Sequence, residues 1–146
     1  MIIGPVLDET YSFDTETKTI YDYDISEGFD IVIPSTIDGV AVEHIGDSAL
    51  YYKFLTSATI PDSVTTIGEE AFSHNNLTSL TIPDGVTTID IFAFFENNLT
   101  SVTIGKNVDI YDDKLTMGIN AGFKSTYDGY GKLSGTYKYD YYWSKQ

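Results

Sequence analysis

Three consecutive segments of this chain, LTSATIPDSVTTIGEEAFSHNN (55–76), LTSLTIPDGVTTIDIFAFFENN (77–98) and LTSVTIGKNVDIYDDKLTMGIN (99–120), align without gaps at a period of 22 residues. Leu55, Leu77 and Leu99 share one column, Ile60, Ile82 and Ile104 a second, and Val64, Val86 and Val108 a third. A repeat this short restricts the fold severely: one unit cannot bury its own apolar face, so the units must stack as coils of a solenoid. A fourth, earlier copy joins at Val42, Ile45, Gly46 and Ala49, each 22 positions before Val64, Ile67, Gly68 and Ala71. Its strand, IVIP ending at Pro34, is displaced by a five-residue insertion containing Asp38-Gly39, which reads as a turn at the entrance of the stack. About four coils are near the lower limit for a stable stack, so both ends require caps.

Within a unit, Leu77, Leu80 and Ile82 have the spacing of a strand whose alternate side chains point into the coil. Pro83, Asp84 and Gly85 turn the chain, and Val86, Ile89, Ala93 and Phe94 return along the opposite wall. Gly-Glu-Glu-Ala-Phe in the preceding copy predicts a turn or a short helix there. Asn75-Asn76 and Asn97-Asn98 close each coil by bonding backbone groups at a buried corner. The chain is a single domain, with an N-terminal cap at 1–32, repeats at 33–120 and a C-terminal cap at 121–146. Residues 10–32 alternate as a strand pair, with Phe13, Ile20, Tyr21 and Tyr23 among Thr and Asp. In the tail, Tyr137, Tyr139, Tyr141 and Trp143 fall on one side of an extended strand. They form either a lid over the last coil or an aromatic platform for sugar rings or a partner.

The segments IPSTIDGVAVEHIGDSAL, LTSATIPDSVTTIGEEAF and LTSLTIPDGVTTIDIFAF, with their L-x-x-L-x-I strands, resemble the BspA-like leucine-rich repeats, also called the Treponema pallidum type. The likeness covers about residues 10–146, since TKTIYDYD, FDIVIPSTIDG and GFKSTYDGYGKLSGTYKY are similar to the flanks of such proteins. It implies a β-rich, α/β-class leucine-rich-repeat solenoid with strand or hairpin caps. It also implies a non-enzymatic bacterial module, extracellular or on the cell surface, used for adhesion or recognition, with no catalytic residue or cofactor to carry over. A purely structural spacer within a larger surface protein is the rival expectation. The chain departs from the pattern at 105–117, where Gly105 replaces Pro and the Ala-Phe pair is lost at Leu115-Thr116, as expected where the stack terminates.

Composition removes several classes of function. All 8 basic residues are Lys, against 22 Asp and Glu, for a net charge of -14. The field repels polyanions and no guanidinium is present to read phosphate or guanine, so nucleic acid is excluded as a partner. Acidic glycans are disfavoured by the same charge, whereas neutral glycans and basic protein surfaces are not. With no Cys there is neither a disulfide nor a thiolate metal site, and two His cannot build a His-rich centre. No apolar run is long enough for membrane insertion as a helix. The N-terminus, Met1-Ile2-Ile3-Gly4-Pro5, lacks the basic start of a secretory signal; it fits an intracellular protein or a mature form equally.

Candidate sites are weighed against the repeat frame. Gly46-Asp47-Ser48-Ala49 has the Gly-Asp-Ser of some esterases, which would need a His base beside Ser48. Yet Ser48 shares its column with Glu70 and Phe92, and His44 and His74 align with Thr66 and Glu96, so the string reads as scaffold. Asp62 and Asp84, followed by Lys106, share a turn column that would suit a weak calcium site or, more simply, a solvated turn. The sequons at Asn76 and Asn98 are imposed by the repeat. The outward rows Asp30 and Val32, Ser57 and Thr59, Ser79 and Thr81, and Ser101 and Thr103 make a concave strip of small hydroxyls, either scaffold or a ligand face. On the opposite, convex side, Ile91, Phe92 and Phe95 occupy columns that hold Glu69, Glu70 and Ser73 one coil earlier, columns expected to face solvent. Tyr51 and Met117 extend this apolar patch, which marks a partner or homodimer contact unless the C-terminal tail folds over it.

Overall fold

The computed structural model describes residues 10–111, 123–139 and 143–146. The chain winds as a β-rich solenoid of about four coils, each about 22 residues long. The first strands are β1 (Tyr11–Asp14) and β2 (Thr19–Tyr23), an antiparallel hairpin, and a 3-10 turn at Ile25–Glu27 leads into β3 (Asp30–Val32). Next come β4 (Thr36–Ile37), β5 (Val40–Ala41) and β6 (His44–Ile45). The repeats then alternate longer and two-residue strands: β7 (Ser57–Thr59), β8 (Thr66–Ile67), β9 (Ser79–Ile82), β10 (Thr88–Ile89), β11 (Ser101–Ile104) and β12 (Asp109–Ile110). Helix α1 (Phe123–Gly129) and the antiparallel pair β13 (Gly135–Tyr139) and β14 (Trp143–Lys145) complete the described chain.

Each coil has three sides. On the first, β3 pairs in parallel with β7 and β9 with β11, and side chains alternate: Leu80 and Ile82 are buried, Ser79 and Thr81 exposed. On the second, β6, β8 and β10 stack in parallel with Ile45, Ile67 and Ile89 in register, and β2 extends the row through Ile20. Among the described residues the third side has no regular strand, yet it is hydrogen-bonded from coil to coil: Ser48 N donates to Glu69 O (2.8 Å), Leu50 N to Ala71 O (2.8 Å) and Phe72 N to Ala93 O (2.7 Å). Of the turn or short helix expected here, the structure selects turns. Two columns on this side, Ser48/Glu70/Phe92 and Tyr52/His74/Glu96, are left-handed, with φ between 52° and 58°.

Asparagine closes two of the corners as expected. Asn75 Oδ1 accepts from Lys53 N (3.1 Å) and Leu55 N (2.9 Å), while Nδ2 donates to Leu50 O (2.8 Å) and Phe72 O (2.9 Å). Asn97 repeats this one coil on, accepting from Leu77 N (3.0 Å) and donating to Phe72 O (2.9 Å) and Phe94 O (3.0 Å). Both side chains are buried, in a core where Phe72 and Phe94 stack at 5.2 Å and Ala49, Ala71 and Ala93 let the coils approach. The insertion is also where the repeat places it. Asp30 pairs with Ser57, a separation of 27 that equals the period plus five. Its extra residues form the β4–β5 hairpin, with Asp38 and Gly39 both at positive φ as a two-residue turn of this kind requires.

Three expectations are corrected. The third copy is not gapless: Ile110 pairs with Ile89, a separation of 21, so one residue is missing after Val108 and Tyr111 is turned out to solvent. Ser73 itself does not face solvent: it is 0% exposed and bonded to His74 Nδ1, although Tyr51 in the same column is exposed. The tail is not one extended strand. Residue Tyr139 pairs with Trp143 across a hairpin, so Tyr137 and Trp143 stand on different strands and both are buried. Tyr141 lies outside the described residues. These rings pack with Phe123 and Tyr127 of α1 at 5.1–6.2 Å, and β13 pairs antiparallel with β11. Tyr127 Oη donates to Gly105 O (2.6 Å) and accepts from Val108 N (3.0 Å), which ties this lid to the last described turn.

Candidate binding surface

The hydroxyl strip lies on the first side. Ser57, Thr59, Ser79 and Thr81 are exposed, with the Ser57 hydroxyl bonded to Asp30, and Val32 stands exposed at the strip's N-terminal end. Ser101 and Thr103 are half-buried, because β13 pairs alongside β11 and Thr103 Oγ1 shares a hydrogen bond with Thr136 Oγ1 (2.9 Å). The strip therefore runs on into the cap instead of ending at β11. It carries no ring and few charges.

The third side is different. Ile91, Phe92 and Phe95 are half-exposed, and Met117 lies outside the described residues. From Phe92 a run of rings crosses the coils: Phe92 to Phe95 at 5.7 Å, Phe95 to His74 at 5.7 Å, His74 to Tyr51 at 5.1 Å and Tyr51 to Tyr52 at 6.0 Å. It continues from Tyr52 to Phe54 at 5.0 Å and from Phe54 to Phe29 at 6.5 Å. Most pairs are tilted or edge-to-face, the arrangement that aromatic quadrupoles favour. Exposure is greatest at one end, with Tyr52 at 54%, Phe29 at 48%, Phe54 at 46% and Tyr51 at 39%. The described residues of the tail pair with β11, on a different side of the coil.

Repeat arithmetic located Tyr51, Phe92 and Phe95 but missed Phe29, Tyr52, Phe54 and His74. Two of these were within reach of the same reasoning. Phe54 shares its column with Asn76 and Asn98, and Tyr52 with His74 and Glu96, so each puts a ring where later coils place a polar group. Phe29 was hidden because the insertion shifts its counterpart to Thr56, whose N–H it receives at 2.7 Å.

Residues 43–117 match the family described as BspA type leucine rich repeat region (6 copies). The chain belongs to this family. No curated protein and no solved structure matches the chain. BspA-type repeats are modules often used in surface proteins for protein binding, and among the described residues no helix is long and apolar enough to cross a membrane.

In this BspA-type chain the other sequence candidates are held in structural roles. His44 Nδ1 lies 2.6 Å from Thr66 Oγ1, its neighbour one coil on, and His74 Nδ1 lies 2.8 Å from Ser73 Oγ, so neither imidazole is bonded to Ser48. Asp84 and Lys106 line an open crevice of about 370 Å³ with Asn107 and Ser134. No group of three or more His, Asp or Glu able to hold a metal ion occurs among the described residues. At the exposed end of the ring run, Lys53 Nζ donates to Asp22 Oδ1 (2.7 Å). Burial raises the Asp22 carboxyl, but the hydrogen bonds from Lys53 and Tyr23 N and the Lys53 charge outweigh it and hold the group below its usual value.

Proposed function

We propose that this chain is a non-enzymatic recognition module of a bacterial cell-surface protein, one domain with caps at 1–32 and 121–146 around repeats at 33–120, and that it holds its partner on the aromatic run of the third side. The observation that carries this reading is the contiguity of seven rings from Phe29 to Phe92, four of them at least 39% exposed. Exposed aromatics cost solubility when left bare, and rings of this kind supply the anchors at which binding energy concentrates. The hydroxyl strip at Ser57, Thr59, Ser79, Thr81, Ser101 and Thr103 offers no comparable anchor and serves as scaffold.

The test is adsorption of the chain to arrays of extracellular proteins and neutral glycans. Three proteins are compared: the natural chain, Tyr52→Ser/Phe54→Ser, and Thr59→Lys/Thr81→Lys. Loss of binding in the ring variant alone is the expected result. Loss in the strip variant alone moves the site to the first side, and absence of binding by all three favours a structural spacer. A homodimer is tested by light scattering of the Phe92→Glu/Phe95→Glu variant beside the natural chain. Two copies each carrying -14 repel one another, so both proteins are expected to be monomers. A dimer that dissociates in the variant would make a second copy the partner.

A further inference from the structure

We infer that the partner seated on the aromatic run is a protein segment rich in arginine and lysine. This rests on the reading of that run as the binding surface and adds the chemistry of its occupant. Between Gly46 and Asn98 the chain carries seven Asp or Glu and one Lys, Lys53, which is half-buried and committed to Asp22. The repeat itself sets carboxylates beside the rings: Glu70 shares the column of Phe92 and Glu96 that of Tyr52 and His74, while Glu69 precedes Glu70 in the chain. Adjacent coils stack at about the 4.8 Å of neighbouring strands, so Glu70 stands one coil from Phe92 and Glu96 one coil from His74, within reach of one extended segment. The ion pairs of the described residues are Lys18–Glu43, Lys53–Asp22 and Lys132–Asp109, which leaves Glu69, Glu70 and Glu96 without a cation.

Both components of this surface select the same ligand. The faces of Tyr and Phe rings attract a cation through their quadrupoles, and a planar guanidinium stacks on them while reaching a carboxylate with its N–H groups. A second copy of the chain is the wrong occupant, because it brings its own charge of -14 to an acidic face. A neutral glycan would stack on the rings and hydrogen-bond the carboxylates but leave their charge uncompensated.

The probe is a short synthetic peptide alternating arginine with glycine and serine, titrated into the full chain while the ring resonances of Tyr52, Phe54 and His74 are followed by NMR. Saturable shifts are expected at low ionic strength, weakening as salt is raised. Tyr52→Ala/Phe54→Ala should weaken binding about tenfold through two lost cation–π contacts. Glu70→Gln/Glu96→Gln should weaken it and flatten its salt dependence. A glutamate version of the peptide and a neutral oligosaccharide should leave the rings unshifted. Absence of shifts with the arginine peptide, equal affinity in the ring variant, or shifts with the sugar instead would each overturn the inference. If the arrays still show binding that the Tyr52→Ser/Phe54→Ser variant loses, the aromatic run remains the binding surface and only the basic partner is withdrawn. If they do not, both fall.

Discussion

Replacing Asn75 by alanine strips partners from three backbone groups at a buried corner. Lys53 N–H and Leu55 N–H lose their acceptor and Leu50 O loses its donor, whereas Ser73 O still receives Tyr52 N and Phe72 O still receives Asn97 Nδ2. An unsatisfied buried group costs about 1–3 kcal/mol, and Lys53 sits where water can reach, so about 3–6 kcal/mol is expected. That is a large share of the roughly 5–15 kcal/mol by which domains are stable. Among the described residues, Asn97→Ala orphans two groups, Leu77 N–H and Phe94 O, because Phe72 O keeps Asn75 and Phe95 O keeps His74 N. Its cost should be smaller, about 2–4 kcal/mol. Phe72 O receives both amides, so it becomes an orphan only when both are gone. The double variant should therefore exceed the sum of the singles by about 1–2 kcal/mol. Urea titrations followed by far-ultraviolet circular dichroism measure the cycle, with equal m-values required across the set. Additivity within about 0.5 kcal/mol, or a cost for Asn75→Ala below that of Asn97→Ala, would refute the assignment of shared and unshared partners.

Burial raises the phenols of Tyr127 and Tyr137 above the ordinary value of 10.0. In the unfolded chain they ionise near that value, while the fold keeps them neutral to higher pH, so their contribution is complete below it, declines above it and is gone beyond the folded values. Tyrosinate absorbance and circular dichroism followed through alkaline titration should show the cap unfolding as these phenols ionise; full native signal well above their titration would contradict this. A Cβ on Gly85 would stand 2.2 Å from Asp62 O, so Gly85→Ala should cost about 1–3 kcal/mol in urea melts. At Gly129, where nothing lies within 4 Å, the same change should be neutral or stabilising. Glu96 is exposed at a φ of 52°, and Glu96→Gly should raise stability by about 0.5–1 kcal/mol by removing left-handed strain; a lower melting point would show that no strain is held there.

The solenoid was legible because its physics is periodic. Every inward position recurs at a fixed interval, so the columns of Leu77, Ile82, Val86 and Ile89 reveal the core without any knowledge of the path between them. The asparagine corner was legible for a related reason: a polar residue kept at one place among apolar columns must satisfy backbone groups. The surface was legible only in part. Columns tell which positions can face out, but the ring run depends on which side chains from different columns meet. Ser73 shows the difference, since Tyr51 in its column is exposed and Ser73 itself is buried.

Period, coil number, insertion and charge were thus properties of the sequence alone. Three things waited for the tertiary structure. The one-residue deletion before Ile110 was invisible because Val108 keeps its column, and only parallel pairing with Ile89 reveals the slip. The tail could be read as one strand because alternation persists across a turn, whereas the rings of Tyr137 and Trp143 reach the core only if the chain reverses. The union of Phe29 with Phe54, and of Tyr52 with His74 and Phe95, requires coils to be brought side by side. Local periodicity encodes what each coil must bury, and a surface assembled across coils exists only once stacking sets their registers and spacing.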